Sequence, residues 1–223
     1  MNSHLLVAID GPAGAGKSTV ARRVAKRLEI PYVDTGSMYR TIAWLALMER
    51  LTADQEAEIS ELALSTPMTL VEGGVKVRDI VLKDELRTSE ISNFASTIAA
   101  MPKVREALVR KQQEIAQLQS VVMDGRDIGT HVLPQAHVKV FLTASIEERA
   151  RRRFEELKGK NQSPDYEKLL QEIRRRDEND RNRVFSPLRQ AEDAILIDST
   201  DQTIEEMVET ILELCCTKMG GAE

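Results

Sequence analysis

Residues 5–18 read Leu5-Leu6-Val7-Ala8-Ile9-Asp10-Gly11-Pro12-Ala13-Gly14-Ala15-Gly16-Lys17-Ser18. An apolar run ends in an acid, and the acid opens onto the pattern G-x-x-x-x-G-K-S. Beyond it, Val20, Val24 and Leu28 recur at helical spacing. Strand, glycine loop and helix in that order make a phosphate-binding loop. The glycines let backbone N–H groups curl around a phosphate, and the helix N-terminus adds partial positive charge. Gly11, Pro12, Ala13, Gly14, Ala15, Gly16, Lys17, Ser18 and Thr19 are therefore the candidate nucleotide cradle. Lys17 is suited to the β- and γ-phosphates and Ser18 to Mg²⁺. A plain glycine turn is the alternative, outweighed by strand, full motif and helix together.

Along the rest of the chain, short apolar runs alternate with helical patterns. Tyr32-Val33, Val121-Val122-Met123, Val138-Lys139-Val140-Phe141-Leu142 and Ala194-Ile195-Leu196-Ile197 end near Asp34, Asp124, Thr143 and Asp198. Continuous apolar strands between helices predict an α/β protein with a parallel sheet buried on both faces. Ligands of such sheets sit beyond the carboxyl ends of the strands. Ser145/Glu148 and Thr203/Glu206 read as capping boxes. Ser163-Pro164 reads as an N-cap and first helical position, and Pro102 as another helix start. Residues 68–82 break the alternation. Met68–Val71 and Val75–Arg78, joined by Glu72-Gly73-Gly74, predict a hairpin, with Ile80–Leu82 beside it, as a small antiparallel insertion. No repeat and no low-complexity tract appears beyond Gly220-Gly221-Ala222-Glu223.

Composition limits the function classes. The chain has 223 residues, 42% hydrophobic, enough for one domain with small insertions. Aromatics are 4%, low for a binder that stacks bases, and the net charge of −5 argues against a nucleic-acid coat. Residues 149–183 carry 12 Lys or Arg against 8 Asp or Glu, an excess of 4 that suggests a local anion site. Cys215 and Cys216 are adjacent and cannot staple the fold, which fits a reducing compartment. His4, His131 and His137 lack ligand spacing. No run approaches the roughly 20 apolar residues of a membrane span, and no signal peptide is read at the start. A cytoplasmic monomer without nucleic-acid or membrane partners is expected.

A phosphate loop alone does not separate a kinase from a GTPase or a motor. The N-K-x-D signature of GTPase base reading is absent, as is a second Walker-like repeat. Asp34-Thr35-Gly36-Ser37-Met38-Tyr39-Arg40 offers a hydroxyl, a sharp turn at Gly36 and an arginine one helical turn on, a set that suits a second phosphate-bearing molecule. Asp124-Gly125-Arg126-Asp127 places a Walker-B-like acid, Asp124, where a carboxylate can hold Mg²⁺. In 174–183, Arg176, Asp180 and Arg183 fall at i, i+4 and i+7 on one predicted helix face, although ion pairs on a solvated helix would explain most such runs. Arg149, Arg151, Arg152 and Arg153 precede the basic loop Lys158-Gly159-Lys160-Asn161-Gln162-Ser163, which can close over a nucleotide and exclude water.

Together IDGPAGAGKST at 9–19, DTGSMYR at 34–40, PKVREALVRKQ at 102–112, DGRDIGT at 124–130 and RRDENDRNR at 175–183 resemble the bacterial cytidylate kinases of the nucleoside monophosphate kinase family. The resemblance covers nearly the whole chain. It implies a P-loop, adenylate-kinase-like fold with a parallel sheet of five strands. The core would be 1–34, 119–152 and 164–223, the NMP-binding region about 35–118 with the β insertion 68–82, and the lid about 153–163. It implies ATP as donor with Mg²⁺ at Ser18 and Asp124, and CMP or dCMP as acceptor. Arg40, Arg126 and Arg183 would hold the acceptor phosphate, with Lys17, Arg126 and Arg183 acting catalytically. Thr35, Ser96, Arg105 and Asp127 would surround the cytosine, Arg176 and Asp180 would meet the sugar, and Arg153 would meet ATP. Thr35 stands where relatives often carry Ser, and Ser18 where some carry Gly.

Two other readings compete. One is another small-molecule P-loop kinase, acting on UMP, AMP, dephospho-coenzyme A or shikimate. The other is a nucleotide-dependent regulator, which would need no second phosphate pocket.

Overall fold

A computed structural model describes residues 4–71 and 73–220. Glu72 of the expected hairpin turn and the tail 221–223 lie outside the described residues. The chain runs β1 (Leu6–Asp10), α1 (Lys17–Arg27), β2 (Tyr32–Asp34), α2 (Thr35–Met48), α3 (Glu56–Ser65), β3 (Met68–Val71), β4 (Gly74–Val77), β5 (Ile80–Leu82), α4 (Ser89–Ile98) and α5 (Pro102–Leu118). It continues through β6 (Val121–Gly125), β7 (Val138–Thr143), α6 (Ile146–Gly159), α7 (Tyr166–Asn182), β8 (Ile195–Asp198) and α8 (Ile204–Gly220). Two compact units result: residues up to Tyr32 with those from Gln119 onward, and Val33–Leu118.

The main sheet has five strands in the order β2-β6-β1-β7-β8. β1 pairs in parallel with β6 and β7, and β7 in parallel with β8. Val7, Ile9, Val122, Val140 and Leu142 fill the core of the first unit against Val20 and Val24 of α1 and Met207 and Ile211 of α8. This explains the continuous apolar runs: central strands covered on both faces have no polar face to show. β8 departs from that rule, since Ile195 and Leu196 are exposed; it is the sheet's edge, with a neighbour on one side only. Cys215 is buried in this core and Cys216 is exposed, both as free thiols.

In the second unit α2 packs on α4, and α3 on α5. β3, β4 and β5 form a separate antiparallel sheet, with Val71 opposite Gly74 and Val77 opposite Ile80. Gly74 therefore belongs to a strand rather than to the turn. A Cβ there would lie 2.2 Å from the Leu82 carbonyl oxygen of the neighbouring strand, so only glycine permits the close pairing.

Several local expectations need correction. α7 begins at Tyr166, not beside Pro164: Asp165 is the cap and accepts from the Lys168 N–H at 3.2 Å. An aspartate in that place competes well with the upstream serine. Ser145 caps α6 through the Glu148 N–H, but the return arm is missing, because the Glu148 carboxylate is taken by Arg151 and Arg152. Thr203 and Glu206 make the full reciprocal box. Gly36 makes no sharp turn; α2 begins at Thr35, capped by Asp34. α6 continues through Gly159, so Lys158 and Gly159 are helical rather than looped.

Candidate active site

The phosphate loop lies between β1 and α1, with Gly11, Gly14 and Gly16 all at positive φ. Gly11 has no room for a side chain: a Cβ would sit 1.9 Å from the Leu142 carbonyl oxygen on β7. Three of the loop's carbonyl oxygens are taken up by side chains. Pro12 accepts from Lys17 Nζ at 2.7 Å, Ala13 from Arg149 Nη1 at 3.1 Å, and Ala15 from Ser199 Oγ at 3.0 Å. Lys17 is only 5% exposed. Burial first, then the positive charge of Arg126, push its ammonium down to about 7, against the pull of Asp124 and Asp10; Arg176 adds to the push.

Beside it, Asp124 at the end of β6 receives two hydroxyls. Ser18 Oγ donates to Oδ2 and Tyr32 Oη to Oδ1, each at 2.8 Å. Mg²⁺ favours one or two carboxylates with water and phosphate oxygens for the rest. Ser18 and Asp124 fit that donor set, and among the described residues no cluster of three or more His, Cys, Asp or Glu offers a protein-only cage.

The third group is built on Asp180 of α7. Arg126 Nε donates to Asp180 Oδ2 at 2.9 Å, and Arg183 Nη2 lies 3.7 Å from Oδ1. Burial opposes the Asp180 charge, but Arg126, Arg183 and Arg176 outweigh it and hold the carboxyl below its usual range. Burial likewise works against Arg126, and Asp180 together with Asp124 and Asp177 outweighs it, raising its pKa. The helix-face expectation is corrected in one respect. α7 ends at Asn182, and Arg183 is its cap with extended backbone, reaching Asp180 from beyond the helix. Sequence spacing paired Asp180 with Arg176 and Arg183; the structure keeps the Arg183 ion pair and adds a hydrogen-bonded partner the spacing did not show, Arg126, 54 residues away.

Asp127 is buried and follows directly on this strand end. Its neighbours Ile128 and Gly129 donate their N–H groups to Asp10 at 2.8 and 2.7 Å, opening a short π-helical turn over Ile128–Val132. Burial pushes the Asp10 carboxyl up to about 7, while the two N–H bonds pull it down.

The second unit holds its own set. Arg40 folds back from α2 onto Asp34 at 3.0 Å and onto Ser37 Oγ at 2.8 Å. The bare Gly36 makes this possible, since a Cβ there would meet Arg40 Nη1 at 2.9 Å. Burial opposes the Asp34 charge, yet Arg40 and Ser37 hold its pKa down. Arg105 is buried on α5, bonded to the Ala99 carbonyl at 3.1 Å and set over the Tyr39 ring. Thr35 is buried and Ser96 half-buried.

Arg153 pairs with Glu156 at 2.7 Å. Its neighbour Arg152 is the one near the loop, bonded to Ser199 Oγ at 3.0 Å and close to Gly16. Sequence reasoning gave no role to Asp10, Tyr32, Arg149, Arg152 or Ser199. Only Asp10, the acid at a strand's carboxyl end, carried a readable signal.

A phosphate loop with its lysine and a Walker-B acid, joined in one unit by a lysine–arginine–aspartate cluster, defines a P-loop phosphotransferase of the small α/β type. The cytidylate kinase family model matches residues 7–217. A cytidylate kinase of Desulforamulus reducens is 50% identical over 215 residues, covering 95% of this chain and 97% of its own. One from Bacillus velezensis is 50% identical over 218 residues, covering 96% and 97%. The chain belongs to the cytidylate kinase family. Among solved structures, a gluconokinase of Sinorhizobium meliloti superposes with a TM-score of 0.51 at 13% identity, covering 99% of this chain and 97% of its own, a likeness of fold alone. No helix among the described residues is long and apolar enough to cross a membrane.

Proposed function

We propose that this protein transfers the γ-phosphate of ATP to CMP or dCMP, giving ADP and CDP or dCDP. The observation that carries the reading is electrostatic. The loop lysine is close enough to Arg126 and Arg176 for both to oppose its charge, and like charges are gathered this way where more than one phosphate is to be held. A nucleotide switch has no use for the second set.

In the reaction an oxygen of the acceptor phosphate attacks the γ-phosphorus, the bond to the β-phosphate's bridging oxygen breaks, and ADP leaves. Catalysis of this kind rests on positioning and on neutralising charge spread over the γ-oxygens. Lys17 serves that charge from the donor side. Arg126 and Arg183, steadied by Asp180, serve the acceptor phosphate and the transferring group. Ser18 and Asp124, with Tyr32 fixing the carboxylate, would hold Mg²⁺, which would supply neutralisation of phosphate charge. Arg40 also serves the acceptor phosphate. Thr35, Ser96, Arg105 and Asp127 are assigned to cytosine, and Arg176 and Asp180 to the sugar. Residues 35–118 act as the NMP-binding region and 153–163 as a lid that excludes water. The enzyme works as a cytoplasmic monomer on free nucleotides.

Cytosine presents an amino donor at position 4 and acceptors at N3 and O2, and uracil inverts the first two. An ionised Asp127 accepts and Arg105 only donates, so uracil is mismatched at both. Sites built on such pairing discriminate by roughly 10⁴-fold. The test is a coupled ADP-release assay over CMP, dCMP, UMP, AMP, dephospho-coenzyme A and shikimate. Strong preference for CMP and dCMP is expected, and equal kcat/KM for CMP and UMP refutes the cytosine reading. In Asp127→Ala the CMP-to-UMP ratio narrows.

A further inference from the structure

Arg149 is among the largest fully buried side chains of the protein, 2% exposed, although it carries a permanent charge. Its guanidinium is nearly saturated. Nη1 and Nη2 grip both oxygens of Asp177 at 3.0 and 2.6 Å. Nη1 also donates to the Ala13 carbonyl of the phosphate loop at 3.1 Å, and Nε to Ala144 at 3.0 Å. The stem packs on the loop as well: a Cβ at Gly14 would lie 3.2 Å from Arg149 Cβ. One side chain from the first turns of α6 thus joins the phosphate loop, the end of β7 and α7.

α7 is the helix that carries Arg176 and Asp180 and is capped by Arg183. Asp177 stands one residue from Arg176 and three from Asp180, so the grip on Asp177 fixes the height of the whole acceptor cluster relative to the loop. We propose that Arg149 and Asp177 form a buried clamp that positions the donor-phosphate loop against the acceptor arginines, at the fixed base of the α6–α7 hairpin. Stability alone does not account for it. Well-packed apolar residues often replace a buried ion pair without loss, but an apolar pair cannot donate to the Ala13 carbonyl. The clamp rests on the phosphotransfer reading, and neither residue touches a substrate: both are positioning residues.

The decisive variant is Arg149→Met/Asp177→Leu, which removes both charges together. If the clamp positions, its thermal midpoint stays near that of wild type. ATP affinity by calorimetry falls about tenfold, as expected for a lost charge-assisted anchor. The kcat with CMP falls about 10²-fold, the cost of roughly 1 Å of misplacement, with KM for CMP little changed. Near-wild-type ATP affinity and kcat in the folded double variant overturn the proposal. Should the double variant fail to fold, Asp177→Asn keeps the shape and one acceptor. The same split between kcat and KM is expected there, and wild-type kcat again overturns the clamp. Failure of the CMP reading is visible separately, as a wild-type enzyme that binds ATP but releases no ADP with CMP; the affinity arm still tests the clamp.

Discussion

Adding a single methyl group at Gly11 tests the junction of sheet and phosphate loop. Gly11→Ala meets two penalties that the structure separates. The first is backbone strain, since φ is +146°, a region alanine avoids; such strain costs roughly 1–3 kcal/mol. The second is a collision 1.9 Å from the Leu142 carbonyl oxygen. That oxygen is backbone on a buried central strand, so relief requires the loop or β7 to shift by about an ångström, at a further ~1–3 kcal/mol. At ~2–4 °C per kcal/mol for a chain of this size, the midpoint falls by roughly 4–24 °C. A loop displaced by about 1 Å loses about 10²-fold in kcat. Gly73→Ala is the control, because φ is +77° and nothing lies within 4 Å of the added carbon, leaving strain alone. The assays are scanning calorimetry and coupled ADP release with CMP. If Gly11→Ala matches Gly73→Ala in midpoint and turnover, the tight contact between loop and β7 is wrong.

Three further outcomes follow from the site. Lys17→Ala loses about 100-fold or more in turnover while unfolding as wild type does, because its ammonium bonds within the loop itself, to the Pro12 carbonyl; near-normal turnover removes the central role of the loop. Arg126→Ala loses about 10³-fold in kcat and binds CMP more weakly, with ATP affinity unchanged by calorimetry; weaker ATP binding with an intact CMP response reverses the two pockets. Asp10, raised from 3.8 to about 7, gives a pH signature. The fold prefers its neutral form, so its contribution to stability is full below about pH 4 and is lost as pH rises through about 7, at ~1.4 kcal/mol per unit in between. Urea unfolding from pH 4 to 8 shows that slope in wild type and not in Asp10→Asn; equal slopes refute the shift.

The fold was readable because its signals are local and repeated. Strand β1, the glycine loop and helix α1 are contiguous, and each buried strand announces itself as a short, mostly apolar run. Gly73-Gly74 between alternating residues gave away the small sheet. What failed was the fine punctuation. Ser163-Pro164 and Asp165 are rival caps two residues apart, and only the geometry of the Lys168 N–H decides between them. Glu148 fits a capping box in sequence, but two arginines on its own helix compete for it and win.

Long-range partnership explains the remaining gaps in the site. Lys17, Ser18 and Asp124 follow from motif position alone. Asp180 shows Arg183 in its spacing but not Arg126, because helical periodicity sees i+3 and i+4 neighbours and Arg126 arrives from the end of β6. Arg149 was one arginine among several in a basic stretch, and nothing in its neighbours marks it as the buried one. Tyr32 and Ser199 are ordinary residues of ordinary strands and turns until the sheet order brings them beside Asp124 and Ala15. The residues assigned to phosphate are therefore legible from composition and spacing, since their chemistry is demanded wherever they lie. Those that hold them in place are chosen by the packing of this particular fold. Such residues become visible only when a polar group is found buried and its partners are counted, as with the guanidinium of Arg149.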